Sequence, residues 1–107
     1  MPRRPSKDVS ILPELQELLK GLGQGHKFSK WIQDMSIVLK ENMYAGELVE
    51  KKKIPQYYIK KYAVDHLYRY EHPEWHRSCY AIYKSSCVIL DIMTHEQYNK
   101  RFGYRPN

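Results

Sequence analysis

Long apolar runs are missing from this chain of 107 residues. Its most apolar stretch, "SCVILDIM", is far shorter than the roughly 18 residues that cross a bilayer, so neither a membrane span nor a membrane partner is expected. Cysteine is scarce: Cys79 and Cys87 are the only two. They match neither a disulfide framework nor a metal-ligand pattern, and read as buried thiols in neighbouring strands, consistent with a reducing cytoplasm. The opening "MPRRPSKD" carries two arginines with no long apolar region behind them, which is not a signal-peptide pattern. A Gly-rich phosphate loop, a GxSxG turn and a Cys–His pair in nucleophile context are absent. His66, His72 and His76 show no ligand spacing and no accompanying Asp/Glu pattern, so no metal or other cofactor is expected. No repeat, low-complexity tract or linker divides the chain, which suits one domain over 1–107 and is too short for two.

What is present is unevenly spread. The net charge of +6 resides in the second half: residues 51–107 hold eleven Lys/Arg against five Asp/Glu, while residues 1–50 hold seven of each. Nine of the ten tyrosines and four of the five histidines lie in that half too. Cations interleaved with aromatics suit phosphate attraction combined with base stacking, although a basic protein with a Tyr-rich sheet would look the same.

The pattern predicts an α+β fold: an N-terminal helical hairpin packed on a small antiparallel β-sheet, with a short C-terminal helix. "KDVSIL" suggests a brief first strand. Pro13 suits the first turn of a helix over "PELQELLKGL", where Leu15, Leu18, Leu19 and Leu22 form one apolar stripe and "GLGQG" ends it. A second helix is expected over Lys27–Glu41, with Phe28, Trp31, Ile32, Met35, Val38 and Leu39 on one face. "ELVEKKKIPQYYIKKYAV" reads as a basic loop with a helical turn near Gln56–Tyr62. Three strands follow, "DHLYRYEH", "HRSCYAIYK" and "SCVILDIM", joined by connections short enough for antiparallel hairpins. The last is apolar on both faces apart from Asp91 and is expected to be central. Thr94 to Gln97 has capping-box spacing, which predicts a helix start there.

Alternation places Leu67, Arg69 and Glu71 on one face of the first long strand, and Arg77, Cys79, Ala81 and Tyr83 on one face of the next. Arginines within aromatic strands need a partner; the plain reading is a solvated sheet face, and the sharper one a phosphate clamp. His95 opens the final helix, where the positive end disfavours its protonated form, and Tyr98 falls on the same helix face. A surface histidine and a core tyrosine packed on Phe102 are the plainer alternatives.

Together, the helical hairpin, "NMYAG", "IPQYYIKKYAVDHLYRY", "WHRSCYAIY" and "ILDIMTHEQYNKRFGY" resemble the RelE/ParE superfamily of type II toxin–antitoxin toxins. The likeness is nearest to the RelE-like branch and runs from about Asp8 to Tyr104. The family's G-[YW]-R-L-x-Y strand has its counterpart in Trp75-His76-Arg77-Ser78-Cys79-Tyr80, and its H-[KR]-x-x-Y ending in His95-Glu96-Gln97-Tyr98. His72–Trp75 stands in place of a Gly-containing turn, and Glu96 in place of a Lys or Arg. The resemblance implies a microbial RNase-like domain that cuts mRNA without a metal, typically on the ribosome, and so inhibits translation. It further implies that Arg77 binds the scissile phosphate, with His95, Tyr98 and Arg69 beside it. Lys51, Lys52, Lys53, Lys60 and Lys61 would contact RNA or the ribosome, and a cognate antitoxin would be the protein partner. In such a site the 2′-OH is the nucleophile, His95 serves as general acid or base, and Tyr98 orients the phosphate or stacks a base. Two other readings stay open: a ParE-like toxin that inhibits DNA gyrase, and a non-toxic nucleic-acid-binding regulator.

Overall fold

Four helices and six strands make up the described part of the computed structural model, residues 3–103. In chain order they are β1 (Val9–Ile11), α1 (Pro13–Leu22), α2 (Lys27–Glu41), β2 (Glu47–Leu48), a short 3-10 turn (Lys51–Lys53), α3 (Gln56–Tyr62), β3 (Leu67–His72), β4 (His76–Tyr83), β5 (Ser86–Ile89), β6 (Met93–Thr94) and α4 (His95–Phe102). The sheet runs β1-β5-β4-β3-β2, with β6 also on β4. It is mixed, not antiparallel as expected, because β1 lies parallel to β5. No hairpin links those two strands, so nothing local imposes an antiparallel pairing. β2, too, lay hidden in the stretch read as a loop.

The sheet separates two cores. On one face Leu15 of α1 and Ile32, Met35 and Leu39 of α2 pack against Tyr68, Tyr80, Cys87 and Ile89. On the other, Tyr58 of α3 and Tyr98 of α4 pack against Leu67, Cys79 and Ala81. Helices thus cover both faces, where one helical layer was expected. The expected stripe on α1 narrows as well: Leu15 is buried, whereas Leu18 and Leu22 are exposed. α2 keeps its buried face, with Val38 left at the margin. Gly46 is required by proximity, since a Cβ there would lie 2.5 Å from the Arg69 carbonyl oxygen and 2.7 Å from the Tyr80 ring. That closeness lets the Tyr80 hydroxyl accept from Gly46 N at 2.9 Å while donating to the Met43 carbonyl at 2.8 Å.

The apolar run "CVILDIM" is not one strand. β5 stops at Ile89, Leu90 keeps one ladder bond by donating its N–H to the Cys79 carbonyl at 2.9 Å, and β6 resumes at Met93 opposite Arg77. Asp91 explains why the gap is tolerated. Its Oδ1 accepts the backbone N–H of Cys79 at 2.9 Å, standing in for a ladder carbonyl, and Oδ2 accepts the Tyr58 hydroxyl at 2.6 Å. Arg101 of α4 reaches the same Oδ2 at 3.3 Å. Burial pushes the Asp91 carboxyl upward, against the bonds from Tyr58 and Cys79 and the Arg101 charge. Thr94 then starts α4 with the expected capping box: its Oγ1 accepts from Gln97 N at 3.1 Å, and its own N–H donates to Gln97 Oε1 at 2.9 Å.

The β3–β4 turn is held from the α2 side. His72 and His76 face each other across the hairpin. His72 Nε2 bonds Ser78 Oγ at 2.7 Å, and its ring stacks on Trp31 with centroids 6.1 Å apart. Burial, then the nearby His76, lowers the His72 pKa to about 4, with Glu71 pulling the other way.

Asp91→Ala strands the Cys79 N–H and the Tyr58 hydroxyl, so it should cost about 3 kcal/mol or more in urea unfolding. Asp91→Asn, which keeps an acceptor for Cys79, should cost clearly less. Because His72 titrates at about 4 in the folded chain and 6.5 when unfolded, the unfolded state binds more protons in that window. Its contribution to stability is therefore present above pH 6.5 and lost on acidification toward 4. Thermal melts across this range should show a shallower loss for His72→Gln than for the parent chain.

Candidate active site

Register decides what meets what. The hairpin pairs Glu71 with Arg77, Arg69 with Cys79 and Leu67 with Ala81, so both predicted faces are the same face. It is the face that α4 covers. β6 continues the sheet on the other side of β4 and delivers His95 to the start of α4, its backbone N–H donating to the Trp75 carbonyl at 2.8 Å.

The result is a cluster centred on Glu71. Arg77 Nε donates to Glu71 Oε1 at 2.5 Å, and His95 Nε2 donates to Glu71 Oε2 at 2.8 Å. An ionised carboxylate only accepts, so this contact places a proton on Nε2 of His95. The Arg77 and His95 side chains are 17 % and 25 % exposed, whereas Glu71 is 53 % exposed and forms the open side. Beneath them lies Tyr98, its ring 4.7 Å from the Arg77 guanidinium carbon and 5.9 Å from that of Arg69. Tyr98 is itself stacked on Phe102 at 4.0 Å, so it combines core packing with a π-face toward two cations.

Arg69 joins the cluster with its charge already matched. Nε and Nη2 both donate to Glu47 Oε2, at 3.0 and 2.7 Å. Partial burial works against its charge, but Glu47 and the Tyr98 hydroxyl outweigh that and raise its pKa. Of the predicted lysines, Lys53 comes nearest, lining a cavity of about 140 Å³ with Glu47, Arg69 and Tyr98. Lys51 and Lys52 share its exposed turn and make loose ion pairs with Asp65 and Glu50 at 3.3 and 3.9 Å. Lys60 and Lys61 lie apart on α3, where Lys61 bonds Glu14 at 3.0 Å and Tyr57 Oη at 3.3 Å. The sequence also suggests that Phe102 and Tyr104 dock the C-terminal tail; Phe102 does pack, on Tyr98, while Tyr104 lies outside the described residues.

Two members of the neighbourhood were not singled out from sequence. Glu71 was placed on the right face but given no role, since a lone acidic residue on a half-open strand carries no signal until register puts it opposite Arg77. Trp75 has no role in the sequence beyond its place in the turn and at the head of the strand motif, yet its ring stands 5.4 Å from that of His95 and nearly perpendicular to it. Chemically, the cluster offers two guanidiniums for an anion, a carboxylate and an imidazole for moving protons, and an aromatic floor. Among the described residues no group of three or more His, Cys, Asp or Glu could hold a metal ion, and no helix is long and apolar enough to cross a membrane. Comparison of the chain with protein-family models, curated proteins and solved structures finds no match.

Proposed function

We propose that the chain is a metal-independent endoribonuclease, an mRNA interferase of the RelE-like kind acting on the ribosome. The observation that carries this reading is the Glu71 carboxylate held between Arg77 and His95 over the Tyr98 ring. RNA carries its own nucleophile, so the chain needs to supply only proton transfer and charge stabilisation.

In this reading the scissile phosphate approaches from the Glu71 side and takes the guanidinium N–H groups of Arg77 not bonded to Glu71. Arg69 adds a second positive charge on the same face. Glu71 accepts the 2′-OH proton, the 2′-oxygen attacks phosphorus, and protonated His95 gives its proton to the departing 5′-oxygen. The products are a 2′,3′-cyclic phosphate and a 5′-OH. The Glu71–His95 bond supports the split of roles, because it holds the imidazole N–H and the proton-accepting carboxylate 2.8 Å apart at one phosphate. Arg77 carries the growing negative charge of the pentacoordinate phosphorus, and Tyr98 fixes the plane of that guanidinium. Lys51, Lys52 and Lys53 attract the RNA backbone, and an antitoxin that silences the protein would cover this face.

Arg77→Ala and His95→Ala should each reduce ribosome-coupled mRNA cleavage at least about tenfold. Equal cleavage by both variants and the parent chain would refute the assignment. Glu71→Gln should separate binding from chemistry: RNA binds as tightly or more tightly once a negative charge is gone, while the cleavage rate falls about a hundredfold. Loss of gyrase supercoiling activity without RNA cleavage would instead select the ParE-like reading.

A further inference from the structure

The β3–β4 turn holds a large aromatic ring in solvent where packing does not call for it. Trp75 is 77 % exposed, whereas the other tryptophan of the chain, Trp31, is buried. The backbone of Trp75 lies at φ 60°, directly after Glu74 at φ 56°. That region is disfavoured for bulky L-residues, and an indole left in water recovers nothing through burial. Nor is the turn loose. Trp75 O accepts the His95 N–H at 2.8 Å, His76 Nδ1 donates to Glu74 O at 2.8 Å, and the Glu74 carboxylate pairs with Lys27 at 2.7 Å. The fixed backbone sets the indole at 85° to the His95 ring, 5.4 Å away, and this perpendicular contact leaves most of the indole surface open.

We infer that Trp75 is a nucleobase-stacking subsite, on which a base of single-stranded RNA next to the scissile phosphate packs while that phosphate lies on Arg77. The ligand class rests on the endoribonuclease reading; the stacking rests on the position of the ring. Trp75 touches His95, and His95 shares the Glu71 carboxylate with Arg77, so an open π-face and a phosphate-binding cation are linked through one histidine ring and one carboxylate. A nucleotide has the matching layout, a flat ring and a phosphate on opposite sides of one ribose. Stacking tolerates any base, because every base has a π-face, so Trp75 contributes affinity and alignment without reading sequence. It is a positioning residue: it holds the strand so that the 2′-OH faces Glu71.

The test uses the full chain and a short single-stranded oligonucleotide of 2′-fluoro nucleotides, which lacks the internal nucleophile and is not consumed. An abasic oligonucleotide of the same charge serves as the second probe. Binding of the first should quench the exposed-tryptophan fluorescence saturably, and Trp75→Phe should abolish the quenching while leaving affinity nearly intact. Trp75→Gly, which suits the positive φ and so keeps the turn, should weaken binding about tenfold and leave the melting temperature unchanged or higher. The abasic probe should bind parent and Trp75→Gly chains alike. Equal quenching by both probes, or affinity for the 2′-fluoro probe within twofold in Trp75→Gly, would overturn the subsite. Quenching and the tenfold loss in a chain that never cleaves RNA would uphold the subsite and refute the endoribonuclease reading. Cleavage by a chain whose Trp75 variants bind normally would do the reverse.

Discussion

One carboxylate allows the sheet to be interrupted without coming apart. Asp91 takes the place of a ladder carbonyl for Cys79, accepts the hydroxyl of Tyr58 from α3, and draws Arg101 from α4. Without such an acceptor, an interior strand that left the ladder would abandon a buried N–H, which folded proteins rarely tolerate. With it, the chain departs after Leu90, turns, and rejoins β4 as β6. That detour sets the height at which α4 begins, and hence where His95 stands relative to Glu71 and Arg77. The same acceptor ties both helices of the α4 face to the strand carrying Arg77.

The sequence made some of this legible and concealed the rest for identifiable reasons. The capping box at Thr94 and Gln97 could be read because its signal is local: two side chains satisfy two N–H groups within one turn. The buried face of α2 was legible by period. The parallel pairing of β1 with β5 was not, since the two strands lie some eighty residues apart and no turn links them. The break at Asp91 hid inside an apolar run, where a single acid looks like an intruder in a strand and turns out to end it. The importance of Glu71 depended on register. The three-residue turn Pro73–Trp75 sets His72 opposite His76 and so Glu71 opposite Arg77, but two of its residues adopt left-handed backbone without being glycine. Turn chemistry normally announces such geometry through Gly or Asn, and here it does not.

The excess positive charge of the second half is not a bare patch. Arg77 is matched by Glu71 and Arg69 by Glu47, each acid supplied from a strand adjoining that of its arginine. Both guanidiniums are therefore held in place before any ligand arrives, which lowers the ordering cost that a long cation would otherwise incur on binding. The acids also temper attraction for indiscriminate polyanions. Any incoming anion would have to compete with a carboxylate for Arg77, so affinity there would depend on geometry and not on net charge alone. On the exposed 3-10 turn, by contrast, Lys51 and Lys52 have only loose acidic partners, at 3.3 and 3.9 Å.

The division of the interior by the sheet reaches beyond the site. Cys79 belongs to the core under α3 and α4, Cys87 to the core under α1 and α2, and both are buried free thiols. A fluctuation that lifts one helical layer uncovers one sulfur and leaves the other sealed. The chain thus carries a built-in reporter for each half, and the relative rates at which the two thiols react rank the opening energies of the two layers. The layer that yields first shows whether the face bearing Arg77 and His95 is the more rigid side of the molecule or the more pliant one.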